Sequence, residues 1–238
     1  MNIILITPAE ASRETVTLTD TRANHLRTFL HAAPGSTFRV GILDGPCGTA
    51  TVTDVNKDGV TFVHHCTDTA PAPWYDMILA LPRPRSFKRI LFQAAAMGVR
   101  RIFVVGAEKV EKSYFSMHLL RPEEYTPVLI EGLMQAKTTA LPRLTIVPKL
   151  RDLWDILPSD NGLRLIANPA PAADSLPSAN GIPLIAIGPD GGWTDRENAS
   201  FADHGFLPVT LGLRPLRTDT AAIALPAVIQ DRLMRLSF

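Results

Sequence analysis

Two glycine-bearing turns near the C-terminus contain the residues of this chain that could do chemistry. The first turn is Gly188-Pro189-Asp190-Gly191-Gly192, and the second begins at Leu211-Gly212; each follows an apolar run and precedes a helical stretch. In an α/β protein, ligands bind where such turns gather at the carboxyl ends of strands, because backbone N–H groups that open the next helix are unpaired there. Two such turns close together in sequence predict one pocket.

The second turn also contains two arginines. Arg214 and Arg217 are three residues apart, on either side of Pro215 and just before a helical stretch. Guanidinium groups at the mouth of a pocket suit anionic or carbonyl-bearing partners. From composition alone, a purely structural turn with ordinary surface arginines is an equal alternative.

Several other chemistries lack their motifs in this chain. There is no GxGxxG after the first strand of the α/β region, no GxxxxGK[ST] and no GxSxG, which disfavours a dinucleotide site, a P-loop and an α/β-hydrolase. Adjacent strand residues such as His64 and His65 point to opposite faces, so they do not predict a metal site. Cys47 and Cys66 lack CxxC spacing, which favours reduced thiols and no metal.

The elements that must position the two turns divide at Ala70-Pro71-Ala72-Pro73, because consecutive X-Pro pairs interrupt helices and strands alike. We predict a small β-barrel domain at 1–70 and an α/β domain at 74–238. The first domain has turn signals between short apolar runs, which predict strands at 2–6, 15–18, 37–43, 49–55 and 60–66 and one helix at 20–30.

In the second domain, apolar runs alternate with helical stretches, which implies a mostly parallel sheet with helices on both faces. The predicted strands are 76–81, 101–106, 143–147, 163–167, 183–188 and 206–211. The predicted helices are 86–97, 122–137, 149–156, 194–204 and 218–236. Thr194 and Glu197 have the spacing of a capping box, which would begin a helix directly after the first glycine turn.

Charge is distributed unevenly, although the net charge of 238 residues is only +1. Residues 1–82 sum to −3, residues 83–151 to +8 and residues 152–238 to −4. The densest basic stretch runs from Arg83 to Arg89 and could contact a phosphate backbone, with solvated helix charges as the alternative. The first residues lack a basic segment and no apolar run is long enough to span a membrane, so we expect a soluble cytoplasmic protein.

At the two turns the sequence resembles a known family. Residues 187–197, IGPDGGWTDRE, and residues 211–225, LGLRPLRTDTAAIAL, are similar to the paired C-terminal motifs of the SPOUT methyltransferases. The residues of these two segments resemble the motifs IGPEGGFxxxE and LGxRILRxETA of the bacterial 16S ribosomal RNA (uracil-N3)-methyltransferase family. The similarity extends more thinly over the whole chain, and Asp190, Trp193 and Asp219 are conservative departures from these patterns.

The resemblance implies a SPOUT-type α/β domain whose C-terminal part is threaded into a deep trefoil knot, preceded by a PUA-like β-barrel that helps to hold RNA. It implies homodimers and S-adenosylmethionine as the cofactor, held largely by backbone groups of three loops. On this chain the implied cofactor-binding residues are Ile166, Ala167, Asn168, Ile187, Gly188, Pro189, Asp190, Gly191, Gly192, Leu211, Gly212, Leu216, Arg217 and Thr218.

The chemistry of methyl transfer suggests roles for the two arginines. Uracil N3 becomes nucleophilic only after it loses its proton, and an arginine near the ring carbonyls would stabilise the resulting anion. Arg217 is the first catalytic candidate and Arg214 the second. The predicted partner is RNA, with small-subunit ribosomal RNA favoured, and the predicted substrate-binding residues are His25, Arg83, Arg85, Lys88 and Arg89.

Departures from the family pattern fall mainly on the RNA side. Ile4-Leu5 and His31 stand where the family has arginines, and residues 92–99 and 134–138 lack further charged residues of the pattern. Two alternatives therefore remain at this point. One is an RNA-binding paralogue with an altered target or lost catalysis, and the other is an α/β enzyme that uses the glycine turns to bind a small anionic metabolite.

Overall fold

A computed structural model describes residues 2–168, 181–212 and 214–235. It forms two compact units. The first comprises Met1–Ala72 with Ile130–Leu141, and the second comprises Pro73–Leu129 with Pro142–Phe238. None of the helices in the described ranges is long and apolar enough to cross a membrane.

The first unit is built on one five-stranded sheet in the order β1-β3-β4-β5-β2, in which only the β1–β3 pair is parallel. Its elements are β1 (Ile4–Ile6), α1 (Pro8–Ala11), β2 (Thr15–Leu18), α2 (Thr21–Thr28), β3 (Thr37–Ile42), β4 (Cys47–Val55) and β5 (Val60–Asp68). The five predicted strands and the predicted helix are confirmed. In β2, Val16 and Leu18 are buried and the threonines between them are exposed, as period-2 alternation requires.

A segment distant in sequence completes the first unit. The Asn2 amide donates to the Met134 carbonyl (3.0 Å), and the Asp44 amide donates to the Thr139 carbonyl (2.9 Å). The Thr139 hydroxyl donates to the Gly45 carbonyl (2.6 Å). Residues 130–141 thus satisfy backbone groups just before β1 and in the β3–β4 turn. Nothing in the sequence indicated this pairing.

The second unit contains a six-stranded, wholly parallel sheet in the order β11-β9-β10-β6-β7-β8. Its strands are β6 (Tyr75–Ala80), β7 (Val99–Val105), β8 (Arg143–Val147), β9 (Asn161–Ala167), β10 (Ile182–Ile187) and β11 (Leu207–Val209). Its helices are α3 (Pro84–Ala96), α4 (Pro122–Ala136, with residues from 130 onward in the first unit), α5 (Asp195–Asp203) and α6 (Thr218–Arg235). The predicted parallel sheet is confirmed.

Helices cover both faces of this sheet. Phe201 of α5 packs in a core cluster with alternate strand residues, among them Ile78, Phe103 and Ala186. The intervening strand residues point to the opposite face. There α3 and α6 pack against each other, α3 against β7 and α6 against β10. The prediction of helices on both faces is confirmed.

The predicted helix at 149–156 is wrong. The structure has a short 3-10 turn at Leu150–Leu153 instead. The Asp152 amide donates to the Lys149 carbonyl and the Ile156 amide to the Leu153 carbonyl, both with i→i+3 spacing, while the Leu150 amide donates to Gly106 outside the segment. Pro158, two residues beyond the predicted end, cannot continue a helix. The helical spacing of the apolar residues was therefore not sufficient to form an α-helix in this segment.

A buried carboxylate at the start of β6 leads to a prediction about stability. Asp76 is fully buried and accepts hydrogen bonds from Arg100 (Nε to Oδ1, 3.0 Å) and Arg101 (Nη2 to Oδ2, 2.6 Å). Removing one partner of a buried pair leaves the other uncompensated, so Asp76→Ala should lower the free energy of unfolding by about 3 kcal/mol. Chemical denaturation measures this value. The matched control is Asp160→Ala: Asp160 contacts the same arginines but is half exposed, so its loss should cost less than about 1 kcal/mol. Equal losses would contradict a special role for the buried carboxylate.

In the first unit, Arg22 leads to a prediction about pH. Its guanidinium donates to Glu10 (2.7 Å) and to Asp20 (2.7 Å), and these hydrogen bonds lower the pKa of both carboxyls below their ordinary values of 4.5 and 3.8. A carboxyl with a lowered folded pKa stabilises the fold above its unfolded pKa and loses that contribution as pH falls through the folded pKa. Unfolding free energy, measured from pH 7 to pH 2, should therefore fall less steeply below about pH 5 in Arg22→Gln than in the unmodified chain. Parallel curves would contradict this coupling.

Candidate functional site

The predicted pocket forms where three neighbouring strands of the second unit end. β11, β9 and β10 are adjacent and parallel, so their last residues, Val209, Ala167 and Ile187, lie at the same edge of the sheet. The loops that follow them include both glycine turns. Strand order brings these turns together, although β9 and β11 are about forty residues apart in the chain.

A cavity of about 260 Å³ lies between these loops. Most of the predicted cofactor-binding residues line it: Ala167, Asn168, Ile187, Gly188, Pro189, Asp190, Gly191, Gly192, Leu211, Leu216 and Thr218. The structure thus brings together the three loops that the sequence resemblance identified. The cavity is lined chiefly by backbone groups and apolar side chains, with Asp190 and Arg214 as its charged residues.

Three predicted cofactor-binding residues are not among those that line the cavity. Ile166 is buried in the core cluster on the α5 side of the sheet. Successive side chains of a strand point to opposite faces, so the Ile166 side chain points away from the cavity. Gly212 and Arg217 are exposed and lie outside the lining.

Five residues that line the cavity were not predicted. They are Val209, Thr210, Pro215, Ala221 and Leu225. Ala221 and Leu225 follow Thr218 at spacings of three and seven residues, which place all three on one face of a helix. That helical spacing was the sequence signal that could have identified them. The loop after β9 continues into residues 169–180, which lie outside the described residues.

Direct hydrogen bonds join the two turns. The Thr218 hydroxyl donates to the Gly188 carbonyl (2.9 Å), and the Thr218 amide donates to Asp190 Oδ1 (3.4 Å). Within the first turn, the Gly192 amide donates to the Pro189 carbonyl (2.8 Å). On the third loop, the Asn168 amide donates to the Val209 carbonyl (3.0 Å). The first turn of α6 is therefore fixed against the end of β10.

Glycine is required at two positions of the first turn for different reasons. A Cβ at residue 188 would lie 3.0 Å from the indole nitrogen of Trp193, which packs behind the turn against Phe201 (4.8 Å between ring centroids). Gly192 has φ of +69°, a conformation that side-chain-bearing residues rarely adopt. The turn therefore packs closely against Trp193 at its start and has left-handed backbone at its end.

The predicted capping box is confirmed, and it fixes the turn to a neighbouring loop. The Glu197 amide donates to the Thr194 hydroxyl, and Glu197 Oε2 accepts from the Thr194 amide (2.8 Å). The other carboxylate oxygen of this buried glutamate accepts from the Glu108 amide (2.8 Å). Lys109 Nζ donates to the Gly191 carbonyl (2.8 Å). The loop after β7 thus supports the glycine turn, a contact that sequence reasoning missed.

The two candidate arginines occupy different positions. Arg214 is exposed and lines the cavity. The side chain of Arg217 is 66% exposed, and its Nε lies 3.7 Å from Oδ1 of Asp219, a carboxylate that is only 6% exposed. Asp219 also forms an ion pair with Arg89. A single buried carboxylate at the start of α6 therefore holds two guanidinium groups.

The predicted substrate-binding residues fall in both units. In the second unit, Arg83 forms an ion pair with Asp190 of the first glycine turn at 3.5 Å, and Arg89 forms one with Asp219 at the start of α6. Arg85 and Lys88 are exposed on α3. In the first unit, His25 lies half-buried on α2 with its ring stacked on Phe29 (5.1 Å between centroids).

Residues that could bind a metal are not clustered in the described ranges, where no group of three His, Cys, Asp or Glu side chains is suitably placed. His64 is half-buried and His65 exposed, on opposite faces of β5. Cys47 and Cys66 are both free thiols.

Comparison with solved structures supports the fold. The chain is similar to the crystal structure of a ribosomal RNA small subunit methyltransferase E from Neisseria gonorrhoeae bound to S-adenosyl methionine, with a TM-score of 0.80, 24% sequence identity and 97% of each chain covered.

Sequence comparison gives the family. The chain is 32% identical to ribosomal RNA small subunit methyltransferase E of Treponema pallidum, over 96% of this chain and 90% of that protein. It is 28% identical to ribosomal RNA small subunit methyltransferase E 1 of Borreliella burgdorferi, over 99% and 100% respectively. The family model for the RNA methyltransferase domain matches residues 70–230, which include the whole cavity. This chain therefore belongs to the RNA methyltransferase domain family.

Proposed function

We propose that this protein is an S-adenosylmethionine-dependent methyltransferase that methylates N3 of a uridine in 16S ribosomal RNA. The observation that carries the proposal is the cavity closed by the Thr218–Gly188 hydrogen bond, within a domain of the RNA methyltransferase family. The relatives named above are small-subunit ribosomal RNA methyltransferases, and the Neisseria gonorrhoeae structure has S-adenosyl methionine bound.

The proposed fold is more specific than a parallel α/β sheet. We propose that residues 74–238 form a SPOUT domain with a deep trefoil knot. The path of α6 supports this, because α6 follows the edge strand β11 but packs against β10 and α3. For residues 1–70 we propose a PUA-like barrel that helps to hold RNA, supported by the five-stranded sheet of the first unit. Two copies are proposed to form a homodimer.

The charged residues of the cavity suit S-adenosylmethionine, which has a sulfonium, an ammonium and a carboxylate group, better than they suit a phosphate. Gly188, Gly191 and Gly192 contribute no side chain to the cavity, and apolar side chains such as Leu211 and Leu225 complete the lining. Arg214 is the single cationic side chain among the described lining residues, and the Asp190 carboxylate also faces the cavity. These charges disfavour the alternative of a small anionic metabolite.

The chain's own residues would bind and orient the two reactants. When bound, S-adenosylmethionine supplies an electrophilic methyl group on a sulfonium, so the protein must chiefly align the nucleophile and exclude water. Arg217, oriented by Asp219 at the rim, is proposed to stabilise the negative charge that develops on the uracil carbonyls as N3 loses its proton. Arg214, on the cavity wall, is the second candidate for this role.

The alternative of an RNA-binding paralogue without catalysis has one supporting observation. Arg83 and Arg89 form ion pairs with Asp190 and Asp219, which reduces their net positive charge toward RNA. Mass mapping of 16S ribosomal RNA from a strain lacking the protein separates the two functions. Loss of one methyluridine supports the enzyme, whereas an unchanged methylation pattern favours the paralogue.

Cofactor binding should depend on the hydroxyl that joins the two turns. Isothermal titration should show S-adenosylmethionine binding to the unmodified chain, and Thr218→Val should weaken it about ten-fold or more, because the Gly188 carbonyl loses its donor. The matched control, Thr220→Val, alters an exposed residue two positions along the helix and should change the affinity less than two-fold. Absence of binding to the unmodified chain at millimolar cofactor would overturn the proposed cofactor.

Arg217 should affect methyl transfer much more than cofactor affinity. Arg217→Ala is expected to lower kcat by about 10²-fold or more on small ribosomal subunits that lack the methyl group, because transition-state charge loses its donor. The dissociation constant of S-adenosylmethionine should change less than about two-fold, since Arg217 does not line the cavity. Arg232→Ala, which changes an exposed arginine of the same helix, is the control. Equal losses of cofactor affinity and kcat in Arg217→Ala would contradict the assigned role.

A further inference from the structure

We infer that the second unit has a separate groove for the backbone of single-stranded RNA, beside the cofactor cavity. This inference rests on the proposed function and assigns a surface to the RNA substrate. The basic groove, as we name it, is an open depression of about 700 Å³. Its lining residues fall in three segments of the chain: 106–115 after β7, 148–151 after β8, and 196–200 in α5.

The basic groove contains three exposed cations that are unpaired within the described residues. Lys112, Lys149 and Arg196 are exposed, and their side chains make no hydrogen bond or ion pair with the part of the chain that the structure describes. They come from three separate segments: the turn after β7, the turn after β8 and the first turn of α5. A fourth cation, Arg151, lies 3.3 Å from Asp152 in an exposed pair of little energetic consequence.

The acidic residues of the basic groove do not neutralise these cations. Both oxygens of the Glu197 carboxylate already accept hydrogen bonds, one from the Glu108 amide and the other from the Thr194 amide. Glu197 is also buried. Among the described residues, this leaves Glu108 as the one exposed carboxylate in the lining. The depression therefore has a net positive lining in a chain whose total charge is only +1.

The basic groove is continuous with the cofactor site through the loop after β7. Glu108 and Val110 line the basic groove, while Lys109, between them in sequence, donates to the Gly191 carbonyl of the cavity. α5 begins directly after that glycine turn, and its residues Arg196 and Ser200 line the basic groove. A ligand bound in the groove would thus lie against the same two segments that support the glycine turn.

The strand order places the cavity, the basic segment from Arg83 and the basic groove along one edge of the sheet. The cavity lies at the carboxyl ends of β11, β9 and β10, and the basic groove lies at those of β7 and β8. Between them β6 ends, and the basic segment from Arg83 follows it. Because all six strands are parallel, these features lie along the same edge of the sheet.

An extended polyanion suits this arrangement better than a small anion does. The cations are exposed and distributed around an open depression, whereas a site for a free phosphate would converge several buried donors on one point. Val110, Phe115 and Leu150 give the depression an apolar component that ribose and bases can contact. Phosphate contacts of this kind position RNA without reading its sequence.

The test compares two double variants that lose the same total charge. Lys149→Gln/Arg196→Gln removes two cations of the basic groove, and Arg143→Gln/Arg232→Gln removes two exposed cations of the second unit that do not line it. Binding of a fluorescent single-stranded oligoribonucleotide is measured by anisotropy at several salt concentrations. The groove variant should bind about ten-fold or more weakly, with the slope of log K against log salt reduced by about 1.4 for two lost phosphate contacts. The control variant should stay within about two-fold of the unmodified chain.

Two further readouts separate this inference from the proposed function. The groove variant should retain S-adenosylmethionine affinity and kcat on small ribosomal subunits, with only KM for the RNA raised. Equal RNA affinity of the groove and control variants would overturn the inference that the basic groove binds RNA, whatever the enzymatic activity. The unmodified chain could instead transfer no methyl group while only the groove variant loses RNA affinity and salt dependence. That result would support RNA binding by the basic groove and contradict the proposed catalysis.

Discussion

The hydrogen bond from the Thr218 hydroxyl to the Gly188 carbonyl is the contact on which the arrangement of the site depends. It joins the end of β10 to the start of α6 and so closes the cavity between two motifs that are about thirty residues apart. The Thr218 amide adds a second link to Asp190. An unpaired amide at a helix start ordinarily binds water or a ligand, but here it binds the other turn. The helix start thereby holds the cavity wall in place.

The parallel sheet determines where this contact forms. With six parallel strands, every strand-to-helix loop of the second unit lies at one edge, and strand order decides which loops are neighbours. Strands β11, β9 and β10 bring apolar and glycine-rich loops together at one end of that edge. Strands β7 and β8 bring the cations Lys112, Lys149 and Arg196 together at the other. One edge of the sheet therefore has both a mainly apolar cavity and a basic depression.

Asp219 and Glu197 show how carboxylates organise the boundary between these regions. Asp219 is nearly buried at the start of α6, where a negative charge is favoured by the helix dipole, and it holds both Arg89 and Arg217. Glu197 occupies the equivalent region of α5 and accepts from the Thr194 amide, which follows the glycine turn, and from the Glu108 amide on the loop after β7. Neither carboxylate lines the cavity, yet Asp219 holds two arginines near it and Glu197 holds the loop after β7 beside the glycine turn. Neither was predicted as a site residue. The sequence indicates that each lies in the first turn of a helix, but not which groups its carboxylate binds.

The sequence by itself determined most strands and helices of both units and the parallel sheet, and its resemblance to a known family indicated the three loops of the site. Alternation at Val16 and Leu18, the apolar strands of the second unit and the capping box at Thr194 are local patterns, and local patterns are imposed by backbone geometry. The 149–156 segment shows the limit of such patterns, since its apolar residues have helical spacing but the structure has only a short 3-10 turn there.

Only the tertiary structure decided which distant residues meet. Residues 130–141 complete the first unit, Asp76 is enclosed by two arginines, Lys109 supports Gly191, and Arg214 rather than Arg217 lines the cavity. Each of these pairings depends on strand order and on side-chain direction. Sequence spacing cannot give either, because the period of a strand or helix specifies which face a residue lies on but not which neighbour that face will contact.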